Sequence, residues 1–323
     1  MNGIIIVNKE KGFTSHDVVA KLRGILHFKK IGHTGTLDPD ATGVLPVCVG
    51  KATKVCGLLT EKDKTYVAEV KLGVTTNTLD LTGEVQSVSP VSVTEEQLET
   101  VLEEFSGEIE QVPPMYSAIK VNGKRLYELA RQGKEVERQA RKVVIHELTL
   151  KEAALQRNEF TIEVTCSKGT YIRSLCHDIG ERLGCGAAMK SLVRTRVGKY
   201  SLTDAMTLAE IEERVKTSPA EGGDLLMPVD SAFSQYGSCH VSEKGMKFLQ
   251  NGNMVSSRLC SYMPLREGTA VDSDNMIEGS TKGGSDIAED GEIVRMYGTD
   301  GTFYAIYRYE EKDAMYHIIK MFH

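Results

Sequence analysis

The sequence predicts an α+β protein, with a large mixed-sheet domain over residues 1–235 and a small β-barrel-like module over 236–323. Three observations carry this reading. Strand-like alternation and helix-like periodicity are interspersed without the strict strand–helix–strand order of a doubly wound fold. The texture changes near residue 235 to several short strand patterns within about 85 residues. A length of 323 residues is more than one ordinary core accommodates, and 41% hydrophobic with 26% charged residues is the balance of a globular chain.

"GIIIVNK" is an opening strand. "SHDVVAKLRGIL" is a helix with Ser15 as its expected N-cap and Val18, Val19, Leu22, Ile25 and Leu26 on one face. "GHTGTLDPDATG", residues 32–43, follows as a loop crowded with turn formers and reactive side chains. In "KTYVAEVKLG", Tyr66, Ala68, Val70 and Leu72 alternate with polar residues, which predicts a half-buried strand. "TEEQLETVLEEFSG" has the Thr94/Gln97 capping box and an apolar face ending at Gly107, so it predicts an amphipathic helix. In "EFTIEVTCSKGTYIRSLCHDIGERLG" the period changes from two to about 3.6 after "SKG", giving strand, tight turn and helix. Tyr171 and Arg173 fall in the first turn of that helix.

In the C-terminal part, "VSEKGMKFLQNG" is a short helix closed by Gly252. "EIVRMYGTDGTFYAIYRYE" is a hairpin about Asp300-Gly301, and "MYHIIKMF" alternates as a further strand. Between them, residues 267–292 hold eight acids and a single lysine, a stretch expected to be a solvated insertion with little fixed structure. The net charge of −6 is therefore uneven: residues 1–200 carry +3 and residues 201–323 carry −9. A nucleic-acid partner is not excluded, because basic residues gather in "KSLVRTRVGK", "KVNGKRLYELAR" and "HFKK".

Seven cysteines with no C-x-x-C pair, and histidines as scattered as His16, His33, His146 and His177, indicate neither a disulfide framework nor a metal. No apolar run approaches a membrane span and the N-terminus has no secretory pattern, so a cytoplasmic location is expected.

The reactive stretch is the loop at 32–43. Pro39 keeps Asp38 out of the helical region, and an aspartate held there beside a cation can act as a nucleophile or base. Arg173, on a separate helix start, is the candidate cation, whereas Asp40 reads as a turn residue. From spacing alone, Tyr66 and Leu192 fit a core as well as a pocket, and Tyr171 fits a staple at a helix start.

"GHTGTLDPDATGVLPVCVGKATK" resembles the signature loop of the TruB family of bacterial tRNA pseudouridine(55) synthases, G-H-x-G-x-L-D-P-x-A-x-G-x-L. "KTYVAEVKLGVTTNTLDLTGEV", "PPMYSAIKVNGKRLYELAR", "CSKGTYIRSLCHDIGERLG" and "LVRTRVG" resemble further family blocks in the family's order. The resemblance covers about residues 3–235, and the tail resembles a PUA-type RNA-binding module. It implies Asp38 as nucleophile, Tyr66 as the tyrosine that stacks on the target uracil and accepts its C5 proton, and Arg173 as the partner of the carboxylate. Tyr171 and Leu192 are implied as pocket residues around a flipped nucleotide, and His33 as the side chain that takes the place of the extruded base. Lys9 lies in the family's N-terminal K-P-x-G element and is implied to bind substrate, although here Glu10 stands where the family has Pro. The implied reaction is isomerisation of uridine 55 in the TψC loop of tRNA, by a monomer needing no cofactor. Attack at C1′, a glycal route and addition at C6 all remain open for the carboxylate. Two other readings share these blocks, an RNA-binding or RNA-folding protein and a guide-RNA-dependent relative.

Overall fold

A computed structural model describes residues 1–121, 123–217, 225–265 and 287–323. The dominant feature is a nine-stranded mixed sheet. Its main path runs Gly3–Lys9, Thr42–Val49, Ala187–Val197, Lys64–Leu72, Glu159–Cys166, Arg141–Ala154, Gly107–Gln111. Thr42–Val49 and Ala187–Val197 pair in parallel, while the pairings from Ala187–Val197 through to Gly107–Gln111 are antiparallel. This mixture is the α+β architecture expected from the irregular order of strand and helix patterns.

The alternation in "KTYVAEVKL" does what a period of two requires. Tyr66, Ala68, Val70 and Leu72 are buried, and across the ladder Val164, Ile162 and Phe160 face Tyr66, Ala68 and Val70. The helices Glu95–Glu104 and Ile172–Arg182 cover this face with Leu98, Val101, Leu102, Ile172, Leu175 and Ile179. Thr94 and Gln97 form the expected capping box.

At the first helix, Ser15–Ile25, the sequence expectation needs one correction. Thr14, not Ser15, is the N-cap, and it forms a reciprocal capping box with Asp17. The Ser15 hydroxyl is buried and instead accepts the Leu37 N–H at 2.9 Å. Because Asp17 completes the box from Thr14, the hydroxyl one residue later is free to hold the loop that carries Asp38.

Contacts divide the chain into a unit of residues 5–47 and 56–222 and a second unit of residues 1–4, 48–55 and 223–323. In the second, a six-stranded sheet has the order Val255–Ser256, Met315–Met321, Phe303–Glu310, Ile293–Tyr297, Gly237–Val241, Cys260–Met263. Its two edge strands are consecutive in the chain, separated only by Ser257–Leu259. Six flat strands would set those edges about 24 Å apart, whereas four residue steps span at most about 14 Å. The sheet therefore has to curl, as a small barrel-like PUA-type module requires. Its core is rich in tyrosine, with Tyr304, Tyr307, Tyr309 and Tyr316 packed on Val241, Leu249 and Met296.

Most of the acidic stretch, residues 267–286, lies outside the described residues. Its end is held in place: Ala288 is in the core, and the Glu292 carboxylate accepts from the Tyr262 hydroxyl and the Glu289 N–H.

Candidate active site

Asp38 sits where backbone ties converge. The Leu37 N–H is fixed by Ser15, the Asp38 carbonyl accepts from Ala41 N–H, and the Pro39 carbonyl accepts from Gly12 N–H. Lys9 is fully buried, and its Nζ donates to the carbonyls of Glu10, Phe13 and Pro39 at 3.0, 2.6 and 3.1 Å. All three ammonium protons are thereby engaged, so Lys9 supports the loop from below. Its pKa is lowered by burial, with Asp38 and Asp40 opposing that shift.

Two glycines let the loop pass. Gly43 has φ +102°, and a Cβ there would lie 2.2 Å from the Arg194 carbonyl. Gly35 has φ +84° and sits beside the Arg194 and Lys64 side chains. Asp40 reaches out to Lys11 at 3.8 Å with both side chains well exposed, as a turn residue would.

The loop and the helix Ile172–Arg182 bring Asp38 and Arg173 together. Arg173 Nε lies 3.1 Å from Asp38 Oδ2, the pairing expected of a cation buried at a helix start. The arginine side chain is 7% exposed and the aspartate 45%. The guanidinium thus backs the carboxylate from inside and leaves it open to an incoming molecule. Its remaining nitrogens donate to the carbonyls of Thr78 (3.0 Å) and Tyr116 (2.9 Å).

A second carboxylate, which sequence reasoning did not single out, completes this group. Asp80 Oδ2 is 3.5 Å from Arg173 Nη1, while its Oδ1 accepts from the Thr78 and Thr82 hydroxyls and the Thr82 N–H. One arginine therefore lies between two aspartates from distant loops. The T-x-D-x-T spacing in "TLDLT", a carboxylate flanked by hydroxyls, is the signal that would have pointed to it.

Tyr66 and Leu192 are buried in the same apolar cluster as Leu37, and Leu192 stands opposite Ala68 in the ladder. Burial raises the Tyr66 pKa, opposed by the Arg194 guanidinium, which acts on the hydroxyl as a charge and hydrogen-bond donor. Asp38 is also within electrostatic reach of Tyr66 and Tyr171. Tyr171 is the N-cap of the helix; burial raises its pKa as well. His33 packs edge-on against His16 with ring centroids 5.0 Å apart, and burial lowers its pKa, as does the nearby His16. Asp38 is thus paired with Arg173 and acts electrostatically on Tyr66 and Tyr171, while Leu192 shares the apolar cluster of Leu37 and Tyr66.

Arg194 lies in the basic run "KSLVRTRVGK" but does not face outward. It is 1% exposed and donates to the carbonyls of Val44 (2.7 Å) and Gly35 (3.4 Å), so it is an internal prop of the loop. Lys190, from the same run, pairs with Glu159.

The half-exposed Asp38 carboxylate is thus backed by a buried arginine and adjoins the apolar cluster that holds Leu37, Tyr66 and Leu192. Family models place this in a class: residues 23–172 match the N-terminal domain of the TruB family pseudouridylate synthases, and residues 173–234 match the tRNA pseudouridylate synthase B C-terminal domain. Over 328 aligned residues the chain is 49% identical to tRNA pseudouridine synthase B of Lachnoclostridium phytofermentans, covering all of both chains. It is 48% identical to the enzyme of that name from Bacillus cytotoxicus, over 82% of this chain and 87% of the relative. The chain belongs to the TruB family. Among solved structures, a Cbf5–Nop10–Gar1 complex matches with a TM-score of 0.71 and 25% identity, covering 99% of this chain and 85% of the other. No helix among the described residues is long and apolar enough to cross a membrane.

Proposed function

We propose that this chain isomerises uridine 55 in the TψC loop of tRNA to pseudouridine, with Asp38 as the nucleophile. The observation that carries the proposal is the Asp38 carboxylate, half exposed and backed by Arg173 at 3.1 Å, beside the buried Tyr66 and Leu192 in a chain of this family. The reaction breaks the C1′–N1 bond, turns the uracil and joins C1′ to C5. The C5 proton leaves and N1 gains one, so no redox partner or transferred group is needed, and no cofactor is invoked. A carboxylate at the sugar–base junction serves attack at C1′, a glycal route or addition at C6. Arg173 orients and neutralises it in each.

A base inside a folded loop must leave its stack to reach Asp38. Tyr66 stacks on the flipped uracil and takes part in removing the C5 proton. Tyr171 and Leu192 line the pocket, and His33, kept neutral by burial, fills the place the base leaves. Lys9 acts by holding the Asp38 loop. Residues 1–235 form the catalytic domain and 236–323 the RNA-binding module. The exposed Lys120, Lys124 and Arg125 meet the tRNA backbone. The protein acts as a cytoplasmic monomer. A protein that only bound or folded RNA would have no need of the Asp38–Arg173–Tyr66 set.

The test is Asp38→Asn incubated with unmodified tRNA. Binding should persist while pseudouridine at position 55 disappears. Normal modification by this variant would sink the proposal.

A further inference from the structure

Helix Ile172–Arg182 begins without a side-chain cap of its own, since Tyr171 at the N-cap makes no capping bond. A tyrosine cannot satisfy the free N–H groups of a first turn. One of these groups, the Tyr171 N–H, is met from across the fold. Gln111, 2% exposed at the end of strand Gly107–Gln111, accepts the Tyr171 N–H at 2.7 Å and donates its amide to the Tyr171 carbonyl at 3.0 Å. One planar amide thus engages both backbone polar groups of one residue. Two further bonds join the same segments: Ser174 Oγ donates to the Val112 carbonyl at 3.2 Å and Arg173 Nη2 to the Tyr116 carbonyl at 2.9 Å.

We propose that Gln111 is a positioning residue of the active site: its amide clamps the Tyr171 backbone and so fixes both the pocket wall and the helix turn that presents Arg173 to Asp38. The proposal rests on the functional reading above. Glutamine is suited to this place because it offers one donor and one acceptor in a plane without charge. A carboxylate of the same shape would set an anionic oxygen against the Tyr171 carbonyl, whereas a protonated carboxylic acid again has one donor and one acceptor. Arg141 is the cross-strand partner of Gln111, and the charges acting on the neighbouring Tyr171 are Arg141, Arg173 and Asp38.

The experiment compares Gln111→Met and Gln111→Glu with the unaltered protein on a tRNA stem-loop. Displacing a reacting group by about 1 Å lowers rates on the order of 100-fold, so Gln111→Met should lower kcat by about 10- to 100-fold and change KM less than about threefold. Gln111→Glu should be no more active than Gln111→Met near pH 8. Its kcat relative to Gln111→Met at the same pH should climb as the pH falls toward about 4.5, where a glutamate carboxyl becomes protonated. A purely space-filling role would leave that ratio flat. Amide hydrogen exchange at Tyr171, faster in Gln111→Met, judges the clamp whether or not the protein modifies RNA; a failure of the functional reading would instead appear as an inactive unaltered protein. The inference is overturned if Gln111→Met keeps kcat within about threefold, if the Gln111→Glu ratio does not move with pH, or if Tyr171 exchange is unchanged.

Discussion

Replacing Arg173 with lysine keeps the positive charge and removes the geometry. The guanidinium uses all three nitrogens: Nε toward Asp38 at 3.1 Å, Nη1 to the Thr78 carbonyl at 3.0 Å and toward Asp80 at 3.5 Å, and Nη2 to the Tyr116 carbonyl at 2.9 Å. A lysine brings one nitrogen, which cannot meet partners on three separate loops. Losing a preorganised charged contact to a reacting group raises a barrier by about 3–4 kcal/mol, so single-turnover rates should fall about 100- to 1000-fold. The side chain is only 7% exposed, so tRNA affinity should stay within about threefold. Release of tritium from tRNA labelled at uracil C5 measures the rate, and filter binding the affinity. A variant within tenfold of the normal rate, or one losing affinity and rate together, would refute the claim that Arg173 acts on Asp38 rather than on the RNA.

Asp80→Asn keeps acceptors for the threonines but removes the second counter-charge of Arg173; kcat should drop about tenfold at constant KM, equivalent to about 1.4 kcal/mol, and unchanged kinetics would detach Asp80 from the site. Gly43→Ala forces a Cβ to 2.2 Å from the Arg194 carbonyl at φ +102°. It should lower stability by more than about 1 kcal/mol and the melting temperature by several degrees, and a thermal melt equal to that of the unaltered protein would contradict the packing described. Lys64 is buried and donates to the Thr60 and Lys62 carbonyls, and burial pushes its pKa down to about 8 from 10.5. Between those values the unfolded chain binds more protons than the folded one. The destabilisation from charged Lys64 is therefore complete below pH 8 and fades as pH rises to 10.5. Relative to Lys64→Met, the unaltered protein should gain on the order of 3 kcal/mol across that window in denaturant titrations, and a pH-independent difference would exclude this role.

The parts legible in the sequence were those governed by local rules. The alternation around Tyr66 and Phe160, the Thr94/Gln97 box and the Asp300-Gly301 turn each depend on residues within one or two turns of each other, and each formed as its pattern requires. The shift of the first N-cap from Ser15 to Thr14 shows the limit. Both hydroxyls suit a cap, and the choice was settled by Leu37, 22 residues further on, which takes the Ser15 hydroxyl. Arg194 misleads for the same reason: in a basic run it resembles a surface cation, yet its strand position turns it inward beneath Gly35 and Val44.

The family and the loop that carries Asp38 were determined by the sequence alone, because a short run of turn formers around one carboxylate is a local pattern. The chemistry of that carboxylate was decided by tertiary structure. Arg173 is 135 positions away, Asp80 and Tyr116 come from two other loops, and Gln111 reaches Tyr171 from a separate strand. Hydrogen bonds and ion pairs act over about 3 Å of space whatever the separation along the chain, and only folding brings those groups within that distance.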